Sequence, residues 1–441
     1  MVVSVQSIFD AHLKSLEIPQ GDILKVGVAV SGGSDSMAAC LAAMDWAQRT
    51  GVQVVGLTVD HGLRPEARQE AELVAEWLLK IGMEHHILTW KGPHPRAGIQ
   101  QAARNARYRL LREKCKQLGA NLLIMGHQLE DQLETFLMRL AKGSGVQGLS
   151  VMPATREQDG IIISRPFLSV SRQQLRAFLQ KSDQQWIDDP SNDNPVFTRT
   201  HLGQALEILV DLPESNLQSL ELSVTRTQRA DRALSTITEQ YLRAHVVESP
   251  LGFVRFSKAA IEEMPDEIAI RFLQRLFIFV RGMGQGPQMN ALERLQHSLK
   301  SEQMSKAKTL FGCQLLPQRD HWILCREPGR TDLPEKELTN NRVCLWDDRF
   351  EIRDTVPGTN ISEQDCPRVR VIGDDGWQQL KESLEWQMPD PLPSIVKKNL
   401  PSIWIGAKIV SMPLFSYNLD AMGIAQGRFE MVFKPKCHFL S

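Results

Sequence analysis

A Gly/Ser-rich string, Ser31-Gly32-Gly33-Ser34-Asp35-Ser36, lies between an apolar run, Val26–Val30, and a stretch of helical periodicity, Met37–Thr50. Strand, tight turn and helix in that order leave few folds open. Paired glycines permit positive φ and close backbone approach to a ligand. Free N–H groups at the helix start, with serine hydroxyls beside them, make a cradle for an anion. A Gly/Ser turn alone more often just joins a strand to a helix. Here strand, string and helix coincide, which favours a phosphate loop. No G-K-[ST] follows, so it is not a Walker A loop. A lysine-free loop carrying an acid suits the pyrophosphate of ATP bridged by Mg2+. Asp35 cannot touch a phosphate without repulsion, so its expected role is as a metal ligand.

The same rhythm continues downstream. Strands are expected at Val52–Val59, His86–Trp90 and Leu122–Met125, and helices at Glu66–Ile81, Ile99–Leu118 and Glu130–Ala141. This βαβα alternation implies a doubly wound α/β fold, a Rossmann-like parallel sheet covered by helices. Ligands in such sheets bind at the carboxyl ends of strands. Ser31–Ser36, Asp60–Arg64 and Gly126–Asp131 all fall at such ends.

Beyond residue 205 the pattern changes. Leu206–His245 and Asp266–Arg281 read as helix, and Thr309–Leu316 and Trp322–Arg326 as two strands. Pro328–Glu337 reads as a linker, and the remainder carries short strand-like runs such as Val369–Ile372 and Ile403–Val410. The expected division is the doubly wound region over 1–205, a mostly helical region over 206–337 and a small mixed α/β region over 338–441. A chain of 441 residues accommodates two to four domains.

The formal net charge of -1 excludes a strongly basic arm protein, so a nucleic-acid partner must be met by a local basic patch. No apolar run approaches the ~20 residues of a membrane span. The first residues carry Asp10 and Glu17 and lack a signal-peptide core, which places the protein in the cytoplasm. Seven cysteines, none in a C-x-x-C pair, read as reduced structural thiols rather than a disulfide, zinc or iron–sulfur framework.

The S-G-G-x-D-S string resembles the PP-loop, or N-type ATP pyrophosphatase, superfamily. That resemblance implies adenylation of a carbonyl-like oxygen, release of pyrophosphate, and displacement of AMP by a nucleophile. Further strings narrow it: Val59-Asp60-His61-Gly62-Leu63-Arg64, Ala103-Arg104-Asn105-Ala106-Arg107-Tyr108, Gly126–Thr135, Gly143-Ser144-Gly145 with Gly148-Leu149, Arg165-Pro166-Phe167-Leu168, Asp189–Asn192 and Arg199. In this order they are similar to the tRNA(Ile)-lysidine synthetase family over about residues 20–205. The family joins free L-lysine to the wobble cytidine of an isoleucine tRNA with a CAU anticodon, using ATP. Two departures stand out: Glu130-Asp131 replaces the usual Asp pair, and Arg199 is followed by Thr200-His201-Leu202-Gly203.

A lysine amino group, with a pKa near ~10.4, is well under ~1% neutral at pH 7. A site for it must orient the ammonium and take its proton. Asp131 and Glu134, three apart on one helix face, provide two carboxylates for that task. Read alone, two acids at a helix start are more often caps; the family carries lysine binding onto them and places His127 near ATP. Lys91–Lys116 holds eight Lys/Arg against the single acid Glu113. A charge run is usually a solvated face, but this one is one-signed, and Arg104, Arg107 and Arg199 are the candidates for reaching ATP or the activated base. Residues 391–441 carry Lys397, Lys398, Lys408, Arg428, Lys434 and Lys436 against Asp420 and Glu430. With Trp404, Phe415, Tyr417 and Phe429 nearby they form a candidate tRNA surface, although such aromatics are more often core. A homodimer is allowed.

Three other readings compete. A PP-loop cytidine thiolase normally brings paired cysteines, and an amide ligase an ammonia source. A binding module without chemistry would not need Asp35, Asp131 and Glu134.

Overall fold

The computed structural model describes residues 4–16, 25–63, 66–92, 94–95, 97–188, 198–213, 215–282, 284, 286–301, 306–327, 333–338, 343–355, 366–382, 392–415, 417–418 and 428–435. Two compact units divide between Asp231 and Arg232.

The first unit runs α1 (Val5–Lys14), β1 (Lys25–Ala29), α2 (Ser34–Thr50), β2 (Gln53–Asp60), α3 (Glu66–Lys80), β3 (Glu84–Thr89), α4 (Ile99–Leu118), β4 (Leu122–Met125), α5 (Leu129–Ala141), α6 (Val146–Leu149), β5 (Thr155–Gln158), β6 (Ile161–Ser164), α7 (Arg172–Lys181) and α8 (Thr198–Val210). Its six strands lie in the order β3-β2-β1-β4-β6-β5. All neighbours are parallel except β5, which pairs antiparallel with β6 at the edge.

Helices cover both faces, so the central strands read as apolar runs rather than alternating ones. Val26, Val28, Leu122 and Ile124 pack with Phe9 of α1, Met37 of α2, Leu78 of α3 and Leu179 of α7. On the other face Leu57, Leu123 and Ile163 meet Leu111 and Cys115 of α4. The chain leaves β1 towards β2 and β3, then returns to β4 on the opposite side of β1. That reversal opens a crevice at the carboxyl ends of β1 and β4, the place where doubly wound sheets bind ligands.

α9 (Leu217–His245) crosses the boundary between units. Residues after it form β7 (Val246–Glu248), β8 (Val254–Ser257), α10 (Lys258–Glu263), α11 (Asp266–Arg281), α12 (Met289–Lys300), β9 (Lys308–Leu310), β10 (Cys313–Pro317) and β11 (His321–Arg326). The middle of the chain, expected mostly helical, thus sets its helices on an antiparallel sheet of order β7-β8-β11-β10-β9. Phe272, Leu276 and Phe279 of α11 fill the core against that sheet. The expected strand Thr309–Leu316 is two strands, because Phe311 and Gly312 both take positive φ and turn the chain back.

The rest comprises β12 (Lys336–Glu337), β13 (Cys344–Trp346), β14 (Phe350–Asp354), β15 (Arg368–Val371), α13 (Gly373–Glu382), α14 (Ser394–Lys398), β16 (Pro401–Ile405), β17 (Lys408–Met412), β18 (Tyr417–Asn418) and β19 (Phe429–Phe433). They make a five-stranded sheet, β12-β15-β16-β17-β18, and a three-stranded one, β13-β14-β19. The run Ile403–Val410 is likewise a hairpin, turning at Gly406–Ala407.

These pieces of the second unit share buried polar ties. Arg349, 2% exposed, pairs with Asp347 at 2.8 Å and donates to the carbonyls of Gly252 and Val280. Asn399 donates to the Arg326 carbonyl. No helix among the described residues is long and apolar enough to cross a membrane.

Candidate active site at the carboxyl edge of the first sheet

The string after β1 forms a loop that depends on its first glycine. Gly32 takes φ +88°, and a Cβ there would lie 2.8 Å from both Ile187 and Val74. Its carbonyl accepts from the Ile187 amide. Gly33 has ordinary backbone angles and room around it, the nearest protein atoms to a Cβ being 3.7 Å away. Gly32 is therefore required by the fold, whereas Gly33 presents open backbone at the start of α2. No side chain caps that helix start. The Ser36 hydroxyl turns back to the Gly33 carbonyl and accepts from the Ser31 amide, while the Ser34 hydroxyl donates to Asp35. The loop closes on itself and keeps the first-turn amides pointing outward from the helix, as an anion site needs.

β4 ends against this loop. A Cβ on Gly126 would fall 2.7 Å from the Asp35 carbonyl oxygen and 2.8 Å from the Ser36 nitrogen. The end of β4 and the first turn of α2 meet backbone to backbone, which brings the segment Gly126–Glu134 beside Asp35. His127 follows β4 at the same edge, half-buried. Gln128, fully buried, bridges to Phe167 and begins α5.

Four carboxylates gather there. Asp131 accepts the Gln128 amide in a capping box at 3.2 Å. Glu130 accepts the Arg172 amide with both oxygens at 3.1 Å, tying the start of α5 to the start of α7. Glu134, one turn further on, is 9% exposed and has the Arg172 guanidinium 4.0 Å away. Burial pushes the Asp35 carboxyl up to about 6, helped by Asp131 and Glu130 and opposed by the Ser34 hydroxyl and Arg172. The capping role of paired acids is real for Asp131. Glu134 lies beyond the cap and is buried, which a cap does not need.

A basic group forms around α4. The Arg104 and Arg107 guanidinium carbons lie 5.4 and 5.5 Å from the centre of the Tyr108 ring. Burial pushes the Tyr108 phenol up, but Arg104, Arg107 and Arg165, the last 6% exposed, together hold it below its ordinary pKa. Arg107 also faces His61, whose imidazole is driven towards neutrality first by burial and then by that cation. The remainder of the Lys91–Lys116 run is partly spent on acids, Arg109 with Glu113 and Arg112 with Asp159.

Ser31–Ser36, His127, Asp131 and Glu134 thus share one edge, and Arg107 stands with His61 on the neighbouring strand end. The Arg199 side chain and Asp189–Asn192 lie outside the described residues, and Arg199 is placed only as part of α8. Arg172 was not foreseen. Its signal was Ser171-x-x-Gln174, a capping box that starts a helix just after Arg165–Leu168. No three His, Cys, Asp or Glu among the described residues form a preformed metal cluster.

The C-terminal basic surface needs correction. Arg428 is buried in a two-bond pair with Asp354, so it is a core ion pair and not a surface cation. Lys398 and Lys434 pair with Asp374 and Glu351, and Lys436 lies outside the described residues. Trp404 and Phe429 are core residues. Half-buried Lys397 and exposed Lys408 remain of that set.

Residues 5–208 match a family model described as a PP-loop domain. A tRNA(Ile)-lysidine synthase of Hyphomonas neptunium is 38% identical, with 75% of this chain and 88% of the relative covered. Relatives of the same name from Wolbachia pipientis wMel and Ruegeria pomeroyi are 31% and 33% identical, covering 89% and 88% of both chains respectively.

Proposed function

The chain belongs to the tRNA(Ile)-lysidine synthase family, and from that membership and the site we propose that it ligates free L-lysine to C2 of the wobble cytidine in tRNA(Ile) with a CAU anticodon. ATP is consumed, and AMP and pyrophosphate are released. The observation that carries the reading is the set Asp35, Glu130, Asp131 and Glu134 packed beside an open phosphate loop.

In the first half-reaction the cytidine O2 attacks the α-phosphorus of ATP and pyrophosphate leaves. The first-turn amides of α2 and the Ser31–Ser36 loop hold the pyrophosphate. Asp35 is the residue that would hold Mg2+, and a buried carboxyl crowded by two further acids fits a cation. When bound, the metal neutralises phosphate charge. Arg107, beside His61 at the end of β2, is the cation assigned to the adenylated base, and the family's sequence pattern gives Arg199 the same role.

In the second half-reaction an amino group of lysine attacks C2, and AMP departs with O2. Asp131 and Glu134 hold the ammonium and orient it, and a carboxylate of this set takes its proton. His127, in the segment that joins β4 to α5, is assigned the place near ATP. The tRNA itself is met by basic surface on α4 and by the chain beyond residue 205, in the division 206–337 and 338–441. A tRNA substrate fits a cytoplasmic enzyme, and a homodimer is allowed.

A thiolase reading is less well supported. Sulfur transfer needs an accessible thiolate. Cys40, Cys115, Cys313 and Cys325 are buried, and burial pushes the last three up to about 12 and Cys40 higher still.

The test is intact-mass analysis of tRNA(Ile) incubated with protein, ATP and lysine. The expected result is one lysine added with loss of one water, with one AMP formed per modification. A tRNA left unmodified, or an AMP yield indifferent to lysine, overturns the proposal.

A further inference from the structure

Arg172 touches the acidic set at two levels. Its backbone amide is fixed by both oxygens of Glu130, and its guanidinium reaches to 4.0 Å from the buried Glu134. The backbone tie is independent of the side chain, and Ser171 caps the same helix start. The guanidinium, 45% exposed, is therefore held at its root and free to move at its tip. A buried carboxylate in a crowd of acids is costly without a cation beside it. Lysine would bring one, but only while it is bound.

We propose that Arg172 is the resident counter-ion of the amine site: its guanidinium rests against Glu134 when lysine is absent and swings aside when the substrate ammonium arrives. The inference rests on the assignment of Glu134 to the amine under the proposed function. It gives Arg172 a positioning and specificity role. An incoming amine must replace a cation on Glu134, so a neutral or weakly charged side chain gains nothing there. The exchange also keeps lysine affinity below what the carboxylates alone would give, because two cations compete for one partner.

The test uses the full chain with the variants Arg172→Gln and Arg172→Lys. Lysine affinity is read twice, as KM in AMP release with tRNA and as Kd by calorimetry in the presence of ATP. A pair 4.0 Å long with its guanidinium 45% exposed is worth little, so Arg172→Gln should tighten lysine binding roughly two- to fivefold in both assays. Arg172→Lys, which restores the charge, should bind lysine as the wild type does. Lysine binding unchanged or weakened in Arg172→Gln overturns the inference. So does a raised ATP KM, which would make phosphate the partner of Arg172. Thermal melting of each variant reports whether the fold is kept. A wild-type protein that releases no AMP with lysine and tRNA refutes the proposed function itself; the calorimetric ratio still judges Arg172.

Discussion

Gly126→Ala strikes the joint between the two halves of the site. The added methyl would stand 2.7 Å from the Asp35 carbonyl oxygen and 2.8 Å from the Asp35 carbonyl carbon and the Ser36 nitrogen. Ordinary contact begins at 3.4 Å, so the shortfall is 3.4 − 2.7 = 0.7 Å. All three obstructing atoms are backbone, so no side chain can rotate away. Either β4 retreats from β1 or the first turn of α2 moves. Overpacking of this kind costs ~1–3 kcal/mol of stability. A displacement approaching ~1 Å in a catalytic array costs about 100-fold in rate. Gly126→Ala should therefore lower kcat/KM for ATP by roughly 10–100-fold and reduce the melting temperature. The assay is AMP release with tRNA and lysine, run beside thermal melting. Gly203→Ala is the control, because a Cβ there meets nothing within 4 Å. Wild-type kcat/KM and melting in Gly126→Ala would refute the claim that the end of β4 and the first turn of α2 are in fixed backbone contact.

Three further outcomes follow from the same geometry. Gly33→Val should abolish ATP binding by calorimetry while the melting temperature stays near wild type, because the protein leaves room at that Cβ and only the ligand does not; a melted protein or normal ATP affinity contradicts this. His85, bonded to Thr58 and held down to about 4 by burial and by neighbouring His86, is neutral in the fold, so its contribution is complete above 6.5 and is lost as pH falls from there towards 4. Allowing for its partial exposure, chemical denaturation should show ~1–2 kcal/mol lost across that window, and His85→Gln should flatten the loss. Lys397→Ala and Lys408→Ala, made in the full chain, should each weaken tRNA binding and lower its salt slope by about one unit, and unchanged slopes would remove that surface from the interface.

The first sheet was legible because its signals are local. Ile99–Leu118 and Leu122–Met125 begin and end where periodicity and Gly119 say they should, and the strand–loop–helix order placed Asp35 at the edge. The PP-loop strings then fixed the family. Hairpins were less visible: Thr309–Leu316 is mostly apolar, and its turn rests on the positive φ of Gly312 and of Phe311, a residue that rarely adopts it. Charge was the poorest guide. A count of lysines and arginines cannot distinguish Arg428, closed against Asp354 in the core, from Lys408 on the surface, because pairing depends on strands far apart in sequence. Arg172 escaped for the same reason, since its partners Glu130 and Glu134 lie about forty residues earlier.

The division of labour at the sheet edge, with ATP on the loop after β1 and the amine on α5, is tested most directly by Glu134→Gln. That change removes a charge at nearly constant volume and forfeits a charge-assisted hydrogen bond of ~1.5–3 kcal/mol, or roughly 10–150-fold. The measurement is lysine KM and ATP KM determined side by side on the same preparation. The account predicts that lysine KM rises by that factor while ATP KM moves little. An ATP KM that rises as far as the lysine KM would contradict it.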